Sequence, residues 1–225
     1  MTQKMLGGNL YDKYNAKSAI ALHLMRGFLQ AFDDLAGKVP VGRALEAGCG
    51  EGELIRRLFH KGWQTVAFDV SEEIVEEAKR RDKLTSANTD FFVADLDNAT
   101  VESADLVVCC EVLEHLERPQ QALTRLAMAS PLAIFSVPNE PLWRLLNMAR
   151  GAYLSDFGNT PGHHQHWSKA RFISLLTAEY EVLEVKSPLP WTMALCHSHR
   201  FAKRGLGVGF ANRTASIVTE DVPDG

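Results

Sequence analysis

In Glu46-Ala47-Gly48-Cys49-Gly50-Glu51-Gly52, one acid and three glycines stand on alternate positions, after the apolar Ala44 and Leu45 and before a helical run from Glu53 to Phe59. A strand that enters a helix through such a turn lets a nucleoside-bearing ligand lie against bare backbone at the first crossover of an open α/β sheet. The dinucleotide form G-x-G-x-x-G needs glycine where Glu53 stands. The spacing therefore argues against a pyrophosphate, and the Glu46 carboxylate beside the turn suits a ligand that carries positive charge. A second constellation is Glu111, Glu114 and His115. If residues 111–116 begin as a helical turn, these three fall at i, i+3 and i+4 on one face. Two carboxylates and an imidazole there can bind a divalent ion, or act as a base and its orienter. His163, His164 and His166 are further candidates, or else plain loop residues; His197 and His199 stay undecided, and His23 and His60 read as structural or solvated.

Short apolar strands and helical segments must hold these groups. Strands are expected at 43–47, 63–69, 91–94, 104–110, 132–137, 180–187 and 190–196, with helices at 52–61, 71–81 and 118–129. Ser71 ahead of Glu72 and Glu73 suits a helix start, and Lys79, Arg80 and Arg81 suit its end. Alternating strands and helices imply a doubly wound, mostly parallel sheet with right-handed crossovers. A helical pattern at 10–36 precedes it, and residues 138–168 interrupt the rhythm where a lid or substrate wall would sit. In that insertion Trp143, Leu146 and Tyr153 close the pocket, or rest on a membrane surface beside Arg144 and Arg150. Residues 201–225 lack sustained periodicity and are expected to be loosely ordered, outside a single domain over 1–200.

Composition narrows the function. A net charge of −4 gives no broad footprint for duplex nucleic acid. No apolar run approaches the roughly 20 residues of a transmembrane helix, and Met1 to Leu10 lack a signal-peptide pattern. Cys49, Cys109, Cys110 and Cys196 show no C-x-x-C spacing and are read as reduced thiols. A cytoplasmic protein is expected; its oligomeric state is not legible.

The acidic-x-G-x-G-x-G turn resembles the first motif of the class I S-adenosylmethionine-dependent methyltransferases. The resemblance spans about residues 43–137 and implies a Rossmann-like, seven-stranded α/β sheet with one reversed edge strand. It implies cofactor contacts at Glu46, Gly48, Cys49, Gly50, Gly52, Asp69, Val70, Asp95, Leu96 and Cys110, with Asp69 on the ribose hydroxyls and Asp95 on the adenine amino group. Glu111-x-x-Glu114-His115 resembles the E-x-x-E-H of ubiquinone-pathway O-methyltransferases and, more weakly, of small-RNA 3′-end 2′-O-methyltransferases. That similarity implies a small-molecule acceptor methylated on oxygen, with His115, Glu114 and His164 as catalytic candidates. Magnesium or manganese on Glu111, Glu114 and His115 is the metal-assisted alternative; a metal-dependent RNA-end enzyme and a non-catalytic cofactor-binding module are the rivals.

Overall fold

The computed structural model describes residues 19–84, 89–99, 102–149 and 162–202. Seven strands, β1 (Arg43–Ala47), β2 (Gln64–Asp69), β3 (Asp90–Val93), β4 (Leu106–Cys110), β5 (Leu132–Pro138), β6 (Tyr180–Lys186) and β7 (Trp191–Ser198), form one sheet. Their order is β3-β2-β1-β4-β5-β7-β6. The strand neighbours from β3 to β5 run parallel, and β7 runs antiparallel to both β5 and β6. The reversed strand thus lies one place in from the edge, not at it. Strand order changes direction between β1 and β4, and ligands of open α/β sheets bind outside the carboxyl ends at such a point. Both motifs of the sequence lead out of those ends.

Around the sheet lie α1 (Ala19–Ala36), α2 (Glu53–Phe59), α3 (Glu72–Leu84), α4 (Pro119–Ala129), α5 (Leu142–Ala149), α6 (Lys169–Leu176) and the short α7 (His199–Ala202). Strand periodicity explains the two apolar layers. Leu106, Val108 and Cys110 of β4 face the layer of α1 and α2, while Val107 and Cys109 face the layer of α4 and α6. β7 alternates likewise, with Trp191, Met193 and Leu195 on the first side and Ala194 and Cys196 on the second. On α1, Met25, Phe28, Phe32 and Leu35 recur at helical spacing and are buried, and the helix packs on β5 and β7. Each such large apolar side chain contributes about 1.5–3 kcal/mol on burial, which fixes α1 over the later strands.

Local chemistry sets the ends of the elements. Pro119 starts α4, where its missing N–H costs nothing. The Ser168 hydroxyl caps α6 by accepting the Arg171 N–H. Strand ends differ from expectation by up to two residues. Trp63, for instance, is buried but gives its N–H to Leu58 O, closing the turn after α2 instead of entering β2. The expectations for 10–18, for Arg150 and Tyr153 in the insertion, and for the tail from 203 onward lie outside the described residues.

Candidate functional site

The glycine turn is built by its own backbone. The Gly48 and Cys49 N–H groups both donate to Phe68 O at 2.9 Å, tying the end of β1 to β2. Gly48 and Gly50 have φ of 73° and 51°, the left-handed region glycine adopts at little penalty. A Cβ on Gly48 would lie 2.3 Å from Val112 Cγ2, whereas one on Gly50 would meet nothing within 4 Å. Gly48 thus lets the turn press against the 111–116 segment, and Gly50 presents bare backbone to open space.

Acidic groups brace the turn. Asp69, ending β2, accepts the Gly50 N–H on Oδ2 and the Ser71 N–H on Oδ1, each at 3.1 Å. Glu46 is buried and accepts the Ile55 N–H at 3.1 Å, which anchors the first turn of α2. Burial pushes the Glu46 carboxyl well above the ordinary carboxylate range, against the pull of the Ile55 N–H and the Arg56 guanidinium. Two arginines for which the sequence suggests no part in this turn clamp Glu51 at the apex. Buried Arg56 donates to its carbonyl at 2.6 Å, and Arg81 of α3 pairs with its carboxylate at 2.6 Å.

The remaining expected cofactor positions are placed as follows. Val70 is exposed just beyond β2, and Cys110 is the buried last residue of β4. Leu96 is buried, and its carbonyl accepts the Arg125 guanidinium at 2.9 Å. The Asp95 carboxylate is used within its own turn, where it accepts the Asp97 N–H and the Asn98 side-chain amide.

The second constellation differs from its expected geometry. Residues 113–115 form a single 3₁₀ turn, and Glu111 lies before it with φ of 60°. The i, i+3, i+4 face therefore does not include Glu111. Its Oε2 accepts the Trp191 indole N–H at 2.7 Å and its Oε1 accepts the Ser136 hydroxyl at 3.2 Å. The group that joins Glu114 and His115 is His163: one ligand atom from each of the three lies within 4.8 Å of the others. Glu114 O accepts the backbone N–H groups of His164 and Gln165, at 2.8 and 3.0 Å, which folds the 162–167 segment back over the 3₁₀ turn. Among the neighbouring histidines it is thus the ring of His163, not that of His164, that meets the cluster. His115 Nδ1 lies 2.9 Å from Gly162 O. A carbonyl only accepts, so Nδ1 carries the proton and the Nε2 of the neutral ring bears the lone pair.

Aromatic rings wall this side. Phe28 meets Trp191 edge-on at 5.0 Å, Trp191 meets Trp143 at 5.8 Å, and Trp143 stacks on His163 at 21°. Burial and the Arg144 guanidinium hold His166 below its ordinary pKa. Helix α5 leaves Leu145, Leu146 and Met148 exposed, and no described helix is long and apolar enough to cross a membrane. Trp191 gave no cue in the sequence, because its role arises only when β7 is inserted beside β5.

Residues 45–129 match a family model described as a methyltransferase domain. The ubiquinone biosynthesis O-methyltransferase of Methylococcus capsulatus is 34% identical over 131 residues, covering 56% of this chain and 54% of the relative. This match thus spans about half the length of that relative. The Xanthomonas campestris pv. campestris protein of the same name is 27% identical over 173 residues, covering 71% of this chain and 72% of its own. Among solved structures, magnesium protoporphyrin IX methyltransferase from Synechocystis PCC 6803 with bound SAH superimposes with a TM-score of 0.64 at 20% identity, over 82% of this chain and 90% of that one. At that identity the superposition speaks for the fold.

Proposed function

We propose that this chain, whose residues 45–129 match a methyltransferase domain, is a class I S-adenosylmethionine-dependent enzyme that methylates a small-molecule acceptor on oxygen. The observation that carries this reading is the adjacency of the two constellations at Gly48 and Val112. The glycine turn, braced by Glu46 and Asp69, abuts the segment that bears Glu114 and His115.

S-adenosylmethionine supplies an electrophilic methyl group on a sulfonium. The chain's part is to align it with a nucleophile, where proximity and orientation give much of the acceleration. In this reading Asp69 at the β2 end accepts from the ribose hydroxyls, and the open backbone at Gly50 admits the ligand. His115, with Nδ1–H held by Gly162 O, offers Nε2 to take the proton of an acceptor hydroxyl. Glu114, buried and with a carboxylate oxygen within 4.8 Å of a His115 ring nitrogen, supports the positive charge that the imidazole gains.

A second, metal-assisted reading is favoured by the Glu114, His115 and His163 donor atoms. One carboxylate and two imidazoles fit Mn²⁺ better than Mg²⁺, which prefers oxygen donors throughout. There the three residues would hold the ion, and the ion would lower the pKa of a bound hydroxyl. The test is transfer of labelled methyl from S-adenosylmethionine to a panel of phenolic, aliphatic-hydroxyl, amine and short-RNA acceptors, with EDTA or with Mn²⁺. Transfer only to amines, or to RNA ends, would contradict small-molecule O-methylation. EDTA-resistant transfer to a hydroxyl would keep the His115 base and remove the metal.

A further inference from the structure

We infer, on the methyl-transfer reading above, that Glu111 is a positioning residue which holds Trp191 behind the acceptor side, and that it is not a ligand of the Glu114, His115 and His163 cluster. The backbone gives the first reason. Glu111 is the residue other than glycine with positive φ among the described residues. Such a conformation in a non-glycine residue is uncommon and collects at functional sites. A helical start at 111 would have set its carboxylate beside Glu114. The left-handed turn sends it across the carboxyl end of β5 to the amino end of β7 instead.

The side-chain contacts give the second reason. The Glu111 N–H donates to Ser136 O at 3.0 Å, and the buried Ser136 hydroxyl returns a bond to Oε1, so β5 fixes both ends of the residue. Oε2 then accepts the indole N–H of Trp191, 80 positions away in sequence. An indole has a donor and no acceptor, and Trp191 is only 6% exposed. A carboxylate meets that buried donor with a charge-assisted bond and fixes the ring about its side-chain torsions.

Trp191 passes this order on to the cluster. Its ring packs on Phe28 of α1 and on Trp143 of α5, Trp143 stacks on His163, and His163 meets His115 edge-on at 4.8 Å. Glu111 therefore acts on His163 through two indoles. The spacing E-x-x-E-H is kept, but its first acid serves the aromatic wall.

The indole N–H signals of the full chain, labelled with ¹⁵N at tryptophan, test this. There are four such residues, and Trp191→Phe assigns the signal in question. Glu111→Gln keeps an acceptor oxygen; Glu111→Leu does not. The Trp191 signal is expected to move upfield in the Gln variant, and in the Leu variant its exchange with solvent should quicken roughly tenfold or more. The Gln variant, which retains a weaker bond, should stay closer to wild type. Mn²⁺ titration of the same proteins should leave Glu111→Gln near the wild-type affinity, while Glu114→Gln falls by tenfold or more. A Trp191 signal unchanged in Glu111→Leu would overturn the inference, and so would Mn²⁺ binding lost in Glu111→Gln as in Glu114→Gln. If wild type binds no Mn²⁺, the indole result alone decides. S-adenosylhomocysteine titration in parallel separates the premises, since absence of binding would count against methyl transfer and leave the Trp191 result standing.

Discussion

The glycine turn and the side that bears Glu114 and His115, proposed above as cofactor and acceptor sites, touch at Gly48 and Val112, yet they are built on opposite principles. The turn is local: Glu46 reaches Ile55, Arg56 reaches Glu51, and Asp69 reaches Gly50 across one neighbouring strand. The second side is assembled from Phe28, Glu111, Trp143, His163 and Trp191, which meet only once the later strands and α1 have packed. A local site is held by backbone bonds and glycine conformations. An assembled one is held by ring packing and by a few long-range polar bonds. Substitutions in the turn should therefore move stability and cofactor affinity together; on the other side, that of the exposed His115 should move turnover alone, whereas those of the buried Phe28 and Trp191 should cost stability as well.

The largest effect is expected from His115→Ala. Losing a positioned base lowers turnover by about 10²–10⁴-fold, with S-adenosylmethionine affinity retained. Near-normal turnover would remove His115 from the chemistry.

Gly48→Ala and Gly50→Ala sharpen the comparison within the turn. Alanine at 48 meets Val112 at 2.3 Å, so overpacking of about 1–3 kcal/mol adds to a left-handed penalty of about 1–2 kcal/mol. Alanine at 50 carries the second cost alone, since its Cβ meets nothing within 4 Å. Thermal melting should rank wild type above Gly50→Ala and that above Gly48→Ala; equal melting temperatures for the two variants would mean that the 111–116 segment does not press on the turn.

Asp69→Ala should weaken S-adenosylmethionine by about 10–100-fold, as expected for lost bonds to a charged acceptor. Calorimetry reads it, and unchanged affinity would place the ribose elsewhere.

Glu46→Gln separates charge from hydrogen bonding, because glutamine still accepts the Ile55 N–H. Burial raises the Glu46 pKa, so the folded state holds its proton above the ordinary carboxylate range, near 4.3. Stability is then full below that range and falls as pH rises toward the folded pKa. The Gln variant should lose this slope and be the more stable protein at pH 8. A denaturation series from pH 4 to 8 that is parallel for both proteins would contradict it.

The smallest effect is expected at Asp33, outside both regions. Burial there opposes ionisation, but Arg57 and Lys61 prevail and hold its carboxyl below the ordinary value. The stability this gives is present above the unfolded pKa and fades as pH falls through the folded one. Asp33→Asn should cost up to about 1 kcal/mol at pH 7, as partly exposed pairs do, and less near pH 3.

The same division explains what could be read from the chain. Glu46, Gly48, Gly50 and Asp69 were legible because strand, turn and helix follow one another and each contact is met within a few residues or one strand crossing. The element order and the mostly parallel sheet followed from the same alternation. Helical spacing does not hold at Glu111, because the backbone there turns left-handed. His164 and His163 are neighbours whose alternation depends on how 162–167 folds onto Glu114 O. Trp191 was silent because nothing in its surroundings signals a partner 80 residues earlier. The place of β7 between β5 and β6 is likewise a matter of topology, not of local pattern.

The most direct measurement is calorimetric titration of S-adenosylmethionine into the wild-type chain, with Asp69→Ala beside it. Binding at one site per chain in the micromolar range, about −8 kcal/mol, and its marked weakening in the variant, is the expected result. No heat from the wild type at millimolar ligand would contradict the assignment of the Glu46 to Asp69 turn as a cofactor site.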